Sequence, residues 1–495
     1  MPTKLSAATL DSLDPRVVVP PYDRSATTTG IVHLGVGGFH RAHQAMYVDN
    51  LMSDGSGGEW AFTGVGVLPK DDRIVEVLNA QDGLYTLVVK HPDGRLEPRV
   101  IGSIRRLLHA PTDPQAVLEV MSDPATRIVS LTITEGSYLI DQVTGDFDPH
   151  HPSIQHDLTD DAVPSTAFGF IVEALRRRRA SDVAPFTVMT CDNLPGNGDV
   201  ARRTITAFAR LKDADLADWI EANVSFPNSM VDRITPVTTQ EDIARLADEF
   251  GIEDGWPVVT EPFTQWVLED EFPSGRPALE DAGVQVVPDV MPYELMKLRL
   301  LNASHQALCY LGCLAGYNYA HEVAQDEEFA RFLLGYMRHE GEPTLPPVPG
   351  VDLAAYEHEL VERFANPEIR DTLARLCAES SDRIPKWLVP VIRADLDAGR
   401  PVDRSALVVA AWARYAEGID ERGEPIEIVD HRKEQVMAAA AQQAHDRLAF
   451  IRDPSLFGDL AQREAFTAPY IAALESLHGT GAAATLRDTI TRLGD

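Results

Sequence analysis

Short apolar runs alternate with longer amphipathic stretches through the first half of the chain. Runs of about four to eight residues that end at Gly, Pro, Asn or Asp are typical of buried β-strands, and the intervening stretches have the length of helices. The runs that carry this pattern are residues 30–35, 60–68, 127–134, 185–191 and 256–260. Strands that alternate with helices predict a mostly parallel sheet with helices on its faces.

The pattern changes after residues 284–289, where long helical stretches replace the strand signals. Because 495 residues exceed what one compact core usually holds, we predict two domains, residues 1–287 and residues 288–495. The first is predicted to be a doubly wound α/β domain, and the second to be mainly α-helical. The proline-rich residues 342–350 are predicted to form a loop within the second domain.

A glycine-rich turn follows the first apolar run, in Gly35-Val36-Gly37-Gly38-Phe39-His40. Glycines at such a turn let the backbone approach a pyrophosphate, whose charge is favoured at the N-terminus of the next helix. His40 stands where the usual G-x-G-x-x-G pattern has its third glycine, so the motif is a variant. The order of strand, turn, helix and strand around it predicts a Rossmann-like dinucleotide-binding domain, with these six residues at the cofactor.

Asp71 follows the second apolar run, at the position where the ribose hydroxyls of NAD are usually recognised. Lys70 stands beside it, and a cation there helps to neutralise the additional phosphate of NADP. The residues therefore favour NAD and leave NADP open. The competing interpretation is a plain tight turn with surface charges.

Three functional groups occur within nine residues of the second domain, the amine of Lys297, the amide of Asn302 and the imidazole of His305. Residues 293–314 have the Leu, Met and Ala content of a helix. At about 100° per residue, Asn302 lies about 140° and His305 about 80° from Lys297, which fits one helix face. Glu294 lies three residues before Lys297, close enough in a helix to contact it.

This group of side chains is suited to the oxidation of an alcohol without a metal. A lysine that loses hydration in a cleft has a lowered pKa, and its neutral amine is a general base. A carboxamide donates a hydrogen bond to the alcohol oxygen without itself titrating. The spacing alone also fits an ordinary amphipathic helix with a surface lysine, a solvated asparagine and a core histidine, so other segments must decide.

Composition excludes several classes of protein. The net charge of −32 would repel nucleic acid and anionic membranes. No stretch reaches the roughly 18 apolar residues that a membrane span needs. The N-terminal residues lack a signal-peptide pattern, so we expect a cytoplasmic protein.

No metal site is predicted. The four cysteines are Cys191, Cys309, Cys313 and Cys377. They include no C-x2-C pair, so free thiols are expected rather than a structural zinc site. The acidic triplets at residues 269–271 and 326–328 are expected to be solvated surface rather than metal ligands.

Four segments resemble the long-chain mannitol dehydrogenase family, whose members are polyol dehydrogenases and uronate reductases. The segments are Gly-Val-Gly-Gly-Phe-His-Arg-Ala-His at 35–43, Cys-Asp-Asn-Leu-Pro-Gly-Asn-Gly at 191–198, Phe-Pro-Asn-Ser-Met-Val-Asp-Arg-Ile-Thr-Pro at 226–236, and residues 297–305. The Val-Asp-Arg-Ile-x-Pro and Lys-x4-Asn-x2-His patterns within them are specific. They are spread over most of the first 310 residues.

The resemblance implies a role for each matching residue. In that family the lysine at the place of Lys297 is the general base, and the asparagines at the places of Asn193 and Asn302 form the oxyanion site. His305 is implied to hold the substrate hydroxyl. Glu294 is implied to gate a proton path between the lysine and solvent.

The resemblance also implies substrate contacts. Asp232 is implied to lie in the polyol pocket, where a carboxylate accepts hydrogen bonds from hydroxyl groups, and the alternative is an ion pair with Arg233 or with a neighbouring chain segment. Arg375, Arg383 and Lys386 are candidates for additional hydroxyl contacts. Long basic side chains on a helix surface are the alternative for these three.

The implied function is reversible hydride transfer between NAD and a linear polyol, with D-mannitol and D-fructose as the expected pair. The implied partners are small polyols or ketoses, and a monomer is expected. A dehydrogenase of D-arabinitol or D-sorbitol and a hexuronate (fructuronate) reductase remain alternatives within the class. A non-catalytic nucleotide-binding sensor is the alternative from another class.

Overall fold

The computed structural model describes residues 2–139, 147–159 and 162–494, and the chain divides into two compact units, Met1–Met291 and Pro292–Asp495. The predicted boundary at 287/288 coincides with the end of a strand, Gln285–Val287. None of the helices formed by the described residues combines the length and the apolar content that crossing a lipid bilayer requires.

The first unit contains all of the strands that the structure describes. They are β1 Thr3–Lys4, β2 Thr29–Leu34, β3 Ala61–Gly66, β4 Tyr85–Lys90, β5 Leu96–Ile101, β6 Ile104–His109, β7 Ile128–Leu131, β8 Thr187–Thr190, β9 Ser229–Asp232, β10 Ile252–Glu253, β11 Val258–Thr260, β12 Gln265–Glu269 and β13 Gln285–Val287. Its helices are α1 Gly38–Ala42, α2 Gln44–Ser53, α3 Asp72–Ala80, α4 Pro114–Ser122, α5 Pro152–Asp157, α6 Ala167–Ala180, α7 Asn197–Lys212, α8 Ala214–Asn223 and α9 Gln240–Phe250.

Five strands form a parallel sheet in the order β6-β3-β2-β7-β8. Successive strand residues face opposite sides, so that Val188 packs with Val129 in one buried cluster and Met189 packs with Ile128 in the other. Both faces are therefore covered, as a parallel sheet with helices on both sides requires. This confirms the predicted doubly wound, Rossmann-like domain.

Two of the apolar runs belong to other sheets. β11, from the predicted strand at 256–260, pairs in parallel with β4, and β4 pairs with β5 in antiparallel orientation. β13 pairs with β12, which pairs in turn with β9. An apolar run predicts a buried strand but not the strand with which it pairs. Strands pair through backbone hydrogen bonds, and these do not depend on which side chains the strand carries.

The described part of the second unit is helical, which confirms the prediction for it. The α-helices are α10 Met291–Met296, α11 Ala303–Ala315, α12 Ala320–Ala324, α13 Glu327–Tyr336, α14 Leu353–Phe364, α15 Leu373–Cys377, α16 Ser380–Trp387, α17 Val389–Asp397, α18 Asp403–Tyr415, α19 Lys433–Ala441, α20 Pro454–Phe457, α21 Glu464–Thr480 and α22 Ala482–Leu493. Short 3-10 turns complete both units, at Ala7–Ser12, Arg24–Ala26, Gly58–Trp60, Pro69–Asp71, Glu135–Tyr138, Leu279–Ala282, Glu342–Thr344, Gln442–Ala444, Phe450–Arg452 and Leu460–Gln462.

Two segments of the second unit are π-helical, with backbone hydrogen bonds that span five residues instead of four. The first, π1, is Lys297–Asn302 and joins α10 to α11, and the second, π2, is Met337–Gly341 and continues α13. The predicted helix over residues 293–314 is therefore present, but it is not a single α-helix. Such insertions are rare and occur frequently at functional sites.

A buried carboxylate joins π2 to the start of α18. Glu340 is 1% exposed, and its carboxyl group accepts the N–H groups of Arg404 and Ser405 at 2.8 Å and the Ser405 hydroxyl at 2.5 Å. Val402, at the cap position of α18, offers no side-chain acceptor, so Glu340 satisfies amides that would otherwise be unpaired. Burial raises the pKa of Glu340 to about 7.

We expect Glu340→Gln to flatten the pH dependence of stability between about pH 4.5 and 7. Because the folded-state pKa is raised from 4.5 to about 7, the folded protein holds this proton more strongly than the unfolded chain does. The free energy of unfolding therefore falls as the pH rises through this window, by roughly 3 kcal/mol at about 1.4 kcal/mol per pKa unit.

The measurement is denaturant unfolding of wild type, Glu340→Gln and Glu434→Gln across this pH range. Glu434 is exposed, so its substitution removes a carboxylate without removing a buried one. We expect the control to follow wild type. Equal pH slopes in all three proteins would contradict the assignment.

Candidate active site

The glycine turn forms an open backbone cradle at the end of β2. Gly35 has φ +93°, and a Cβ there would lie 2.2 Å from the Thr132 carbonyl oxygen, so only glycine fits. Gly37 precedes α1, and a Cβ there would meet only the Gly35 oxygen, at 4.0 Å. The backbone N–H groups at the start of α1 are therefore reachable by a ligand the size of a pyrophosphate.

His40 lies beneath this turn and is fully buried. Its ring stacks on that of His33 with 3.4 Å between centroids, and its Nε2 has no hydrogen-bond partner. Burial lowers the pKa of His33 to about 3 and that of His40 well below its ordinary value, so both rings are neutral. His33 contacts the Gly35 oxygen at 3.2 Å and the Thr132 hydroxyl at 2.8 Å, which supports the turn from below.

Asp71 closes a tight turn after β3. Its carboxylate accepts the Leu68 N–H at 2.9 Å, and a Cβ at Gly66 would lie 2.8 Å from the Asp71 Cβ. The glycine at the end of β3 thus allows Asp71 to approach the sheet edge. Lys70 is exposed on the same turn.

Asn193 follows β8 on a loop. The buried residues Asp192 and Asn197, one on each side of Asn193 in sequence, anchor this loop by hydrogen bonds. The Asn193 side chain is exposed, whereas Asp192 is 6% exposed and accepts the Tyr138 hydroxyl at 2.8 Å. Asn197 donates to the carbonyls of Asp192 at 2.9 Å and Ser229 at 2.8 Å. Sequence reasoning missed Asp192 as a loop anchor, because a carboxylate within Cys-Asp-Asn carries no sign of its burial.

The first unit brings three of the predicted positions to one edge of the sheet. The glycine turn, Asp71 and Asn193 follow the carboxyl ends of β2, β3 and β8, and these strands are parallel. The chain order of the strands reverses between β2 and β7. Open parallel sheets bind their ligands at this reversal, outside the carboxyl ends.

Asp232 ends β9 and is 4% exposed, opposite Gln265 in the antiparallel pairing with β12. The guanidinium of Arg233 donates to the carbonyls of Ala42 at 2.6 Å and Glu261 at 3.1 Å. The Arg233 guanidinium is therefore buried among backbone carbonyls. Arg233 joins the end of β9 to α1, next to the glycine turn, and burial lowers its pKa to about 10.

The π1 segment changes the geometry expected of the helix that carries Lys297, Asn302 and His305. The Ala303 N–H donates to the Leu298 carbonyl, five residues earlier. If the wide turn absorbs one residue, Asn302 lies about 40° and His305 about 20° from Lys297, on opposite sides of it, at about 100° per residue. The helix is therefore not the unbroken α-helix for which the angles were predicted, and a wide turn of this kind would bring the three groups to a narrower face.

The burial of these groups differs. Asn302 is 5% exposed, and its Oδ1 has no hydrogen-bond partner. Glu294, Lys297 and His305 are half-buried, and the His305 ring lies 4.3 Å from that of Phe364. A buried amide oxygen without a donor costs free energy. Such unpaired groups are common at sites where a ligand supplies the missing hydrogen bond.

The basic candidates of the second unit are engaged with protein groups. Arg375 forms a two-pronged ion pair with Asp371, and Lys386 bonds to Asp382 at 2.6 Å. Arg383 donates to the carbonyl of Leu376, at the end of α15, at 2.9 Å. Side chains in this state keep hydrogen-bonding capacity for neutral hydroxyls, but the charges of Arg375 and Lys386 are already balanced.

One group among the described residues has the composition of a metal site, Glu379, Asp430 and His431. Its members are bonded to protein instead. His431 Nδ1 lies 2.8 Å from Glu379, and Asp430 accepts the N–H of Ser381 at 2.8 Å, at the start of α16. These contacts explain the cluster as a helix and loop junction.

All four cysteines are free thiols, as predicted. Cys313 and Cys377 approach to 3.8 Å between sulfur atoms. The contact with the Cys377 thiol and burial raise the pKa of Cys313, and burial together with the Cys309 thiol raises the pKa of Cys377. They are therefore protonated and pack as small apolar groups.

Both units match families of known proteins. Residues 29–281 match the mannitol dehydrogenase Rossmann domain, and residues 289–478 match the mannitol dehydrogenase C-terminal domain. The mannitol 2-dehydrogenase of Phaeosphaeria nodorum is 46% identical over 487 residues, which are 98% of this chain and 85% of that protein. A mannitol 2-dehydrogenase of Cereibacter sphaeroides is 45% identical over 471 residues, 95% of this chain and 98% of that protein.

Two solved structures are similar over nearly the whole chain. The Pseudomonas fluorescens mannitol 2-dehydrogenase, in a ternary complex with NAD and D-mannitol, is 47% identical with a TM-score of 0.90, covering 99% of this chain and 100% of that one. A D-sorbitol dehydrogenase in substrate-free form is 38% identical with a TM-score of 0.90, covering 97% of this chain and 100% of that one. The chain belongs to the mannitol dehydrogenase family.

Proposed function

We propose that the protein is an NAD-dependent polyol dehydrogenase that interconverts D-mannitol and D-fructose. The observation that carries the proposal is that an amine, a buried amide and an imidazole, those of Lys297, Asn302 and His305, lie on one helix that π1 interrupts. The relatives named mannitol 2-dehydrogenase and the relative solved with NAD and D-mannitol support the choice of cofactor and substrate.

Residues 1–287 are proposed to bind the cofactor. The open cradle at Gly35–Gly38, with Val36, Phe39 and the buried His40, fits a pyrophosphate, because the space beside Gly37 is open except for the Gly35 oxygen, 4.0 Å from where a Cβ would lie. Asp71 is proposed to accept the ribose hydroxyls. When bound, NAD accepts the hydride that leaves the alcohol carbon.

Residues 288–495 are proposed to supply the proton chemistry. Lys297, as the neutral amine, takes the proton of the reacting hydroxyl. The carbon that carries this hydroxyl loses its hydride to NAD and becomes a carbonyl carbon. Glu294, one helical turn earlier, passes the proton from the lysine towards solvent. In the reverse direction the lysine returns the proton to the ketose oxygen.

Hydrogen-bond donors position the reacting oxygen. The amides of Asn193 and Asn302 donate to it as its charge changes, and His305 holds the hydroxyl in line. Asp232 accepts hydrogen bonds from neighbouring hydroxyls of the chain. Because the lysine removes the proton and two amides stabilise the oxygen, the reaction needs no metal.

A neutral polyol is favoured over a hexuronate as substrate. A carboxylate would require an unbalanced cation, whereas the charges of Arg375 and Lys386 are balanced by Asp371 and Asp382. The Arg383 guanidinium donates to the carbonyls of Arg375 and Leu376, so Arg383 is the cation of the three that a hexuronate would have to use. Arg375, Arg383 and Lys386 are therefore proposed to contact hydroxyl groups. Other linear polyols are the second candidate substrates, because a D-sorbitol dehydrogenase is 38% identical to this chain.

Purified protein is expected to reduce NAD with D-mannitol faster than with D-arabinitol or D-sorbitol, and to reduce fructose faster than fructuronate. The measurement is NADH absorbance with each compound in the presence of a metal chelator. The absence of NADH formation with every polyol would favour a non-catalytic sensor. Loss of activity on chelation alone would contradict the metal-independent mechanism.

Lys297→Ala is expected to lower kcat on D-mannitol by about 10³-fold or more, because general base catalysis is lost while binding groups remain. The Kd for NAD, measured by fluorescence titration, is expected to stay within about twofold of wild type. Lys433→Ala, which removes an exposed lysine of α19, serves as the control. A folded Lys297→Ala protein with near wild-type turnover on every polyol would sink the proposal.

Lys70→Glu is expected to lower kcat/KM with NADP by about tenfold and to leave kcat/KM with NAD nearly unchanged, since a carboxylate repels the additional phosphate. Lys433→Glu makes the same change of charge on the surface of the second unit. The two cofactors are compared in initial-rate assays at fixed mannitol. An equal effect of both variants on the NADP rate would assign the change to net charge rather than to Lys70.

A further inference from the structure

The π turn that carries the candidate base leaves one backbone carbonyl to be satisfied from outside the helix. In an α-helix the Ala303 N–H would donate to the Arg299 carbonyl, four residues earlier. Here it donates to Leu298 and Leu300 instead. The Arg299 oxygen accepts the hydroxyl of Tyr336, at 3.0 Å.

Tyr336 is suited to this task because it remains a donor. The side chain is 0% exposed at the end of α13, and burial raises its pKa well above the ordinary value. The hydroxyl therefore stays protonated at neutral pH and above the ordinary pKa of tyrosine. A buried carbonyl without a donor would cost about 1–3 kcal/mol, so this contact favours π1 over an unbroken α-helix.

The end of π2 makes a second contact with the same turn. A Cβ at Gly341 would lie 2.8 Å from the Leu300 Cδ2 and 3.3 Å from the Arg299 oxygen. A methyl group at Gly341 would displace the Leu300 side chain and press on the Arg299 oxygen, so glycine favours the close approach of the two π segments. The Arg299 guanidinium also donates to the Thr344 carbonyl, so the chain beyond π2 holds the same residue from its other side.

The supporting segment is itself anchored. Glu340, the neighbour of Gly341, is bonded to the first amides of α18. A displacement of π2 would break these buried hydrogen bonds. The position of Tyr336 and Gly341 relative to π1 is therefore set by the packing of the second unit rather than by π1.

We propose that Tyr336 and Gly341 are positioning residues that stabilise the π turn and so determine where Asn302 and His305 lie relative to Lys297. If π1 absorbs one residue, Asn302 lies about 40° from the lysine, and with an unbroken α-helix it would lie about 140° away. This inference rests on the proposed function, because it assigns to these two residues an effect on catalysis through Lys297.

Tyr336→Phe removes the hydroxyl and keeps the ring. We expect kcat on D-mannitol to fall by about 10²-fold, the size of effect that a shift of about 1 Å at a catalytic group produces, with the Kd for NAD unchanged. We also expect the pH at half-maximal kcat/KM to move, because the surroundings of the base change. Gly341→Ala is expected to act in the same direction.

Tyr293→Phe is the matched control. Tyr293 is also buried, lies on the same helix in α10, and donates to a backbone carbonyl, that of Pro349, at 2.8 Å. The bond it loses lies outside π1, so we expect lower stability with kcat and the pH profile near wild type. Gly479→Ala, at a helical position with open space around it, is the control for glycine.

Crystal structures of Tyr336→Phe and wild type provide a readout that does not depend on activity. We expect the variant to form the hydrogen bond from the Ala303 N–H to the Arg299 carbonyl. Retention of π1 together with a wild-type kcat and pH profile would overturn the proposal. An effect of Tyr293→Phe equal to that of Tyr336→Phe would overturn it as well.

The outcomes also separate this inference from the function on which it rests. If Lys297→Ala is inactive and Tyr336→Phe is unchanged, the positioning role fails and the lysine mechanism stands. If Lys297→Ala keeps full turnover, the mechanism itself fails. A failure of Gly341→Ala to fold would leave the decision with Tyr336→Phe.

Discussion

Buried backbone oxygens need hydrogen-bond donors, and the carbonyl of Arg299 meets this requirement in an unusual way. The π turn withdraws the Ala303 N–H from it, and the Tyr336 hydroxyl takes that place. The face that carries Lys297 and Asn302 depends on this exchange, because one extra residue in the turn rotates everything that follows. The geometry of the candidate site is therefore maintained by a side chain that is 37 residues away in sequence.

In the first unit, a glycine and buried polar groups fix the position of the turn at the end of β2. Gly35 approaches the Thr132 carbonyl more closely than any side chain allows, and His33 bonds to both of these residues from inside. Parallel strands then carry the glycine turn, Asp71 and Asn193 to the same edge of the sheet. Rigid supports beneath flexible turns keep polar groups in fixed places without filling the space that a ligand needs.

Much of the fold and of the candidate site could be predicted from local sequence. Apolar runs marked β2, β3, β7 and β8, glycines marked the turn, and the spacing of Lys297, Asn302 and His305 marked one helix. Other features depend on distant partners and left no local signal. Examples are the pairing of β11 with β4, the bonding of Arg233 to the Ala42 carbonyl, and the burial of Asp192.

The amino-acid order by itself determined the class of fold, the family and the identity of the chemical groups, because hydrophobic periodicity and motif spacing are local properties of the chain. Tertiary structure alone decided the π turn. The composition of residues 293–314 predicts only a helix, and taken alone these residues would favour a continuous α-helix, since the π turn leaves the Arg299 carbonyl without a donor from the helix itself. The choice between them rests on Tyr336 and Gly341, which are brought to the helix only by folding.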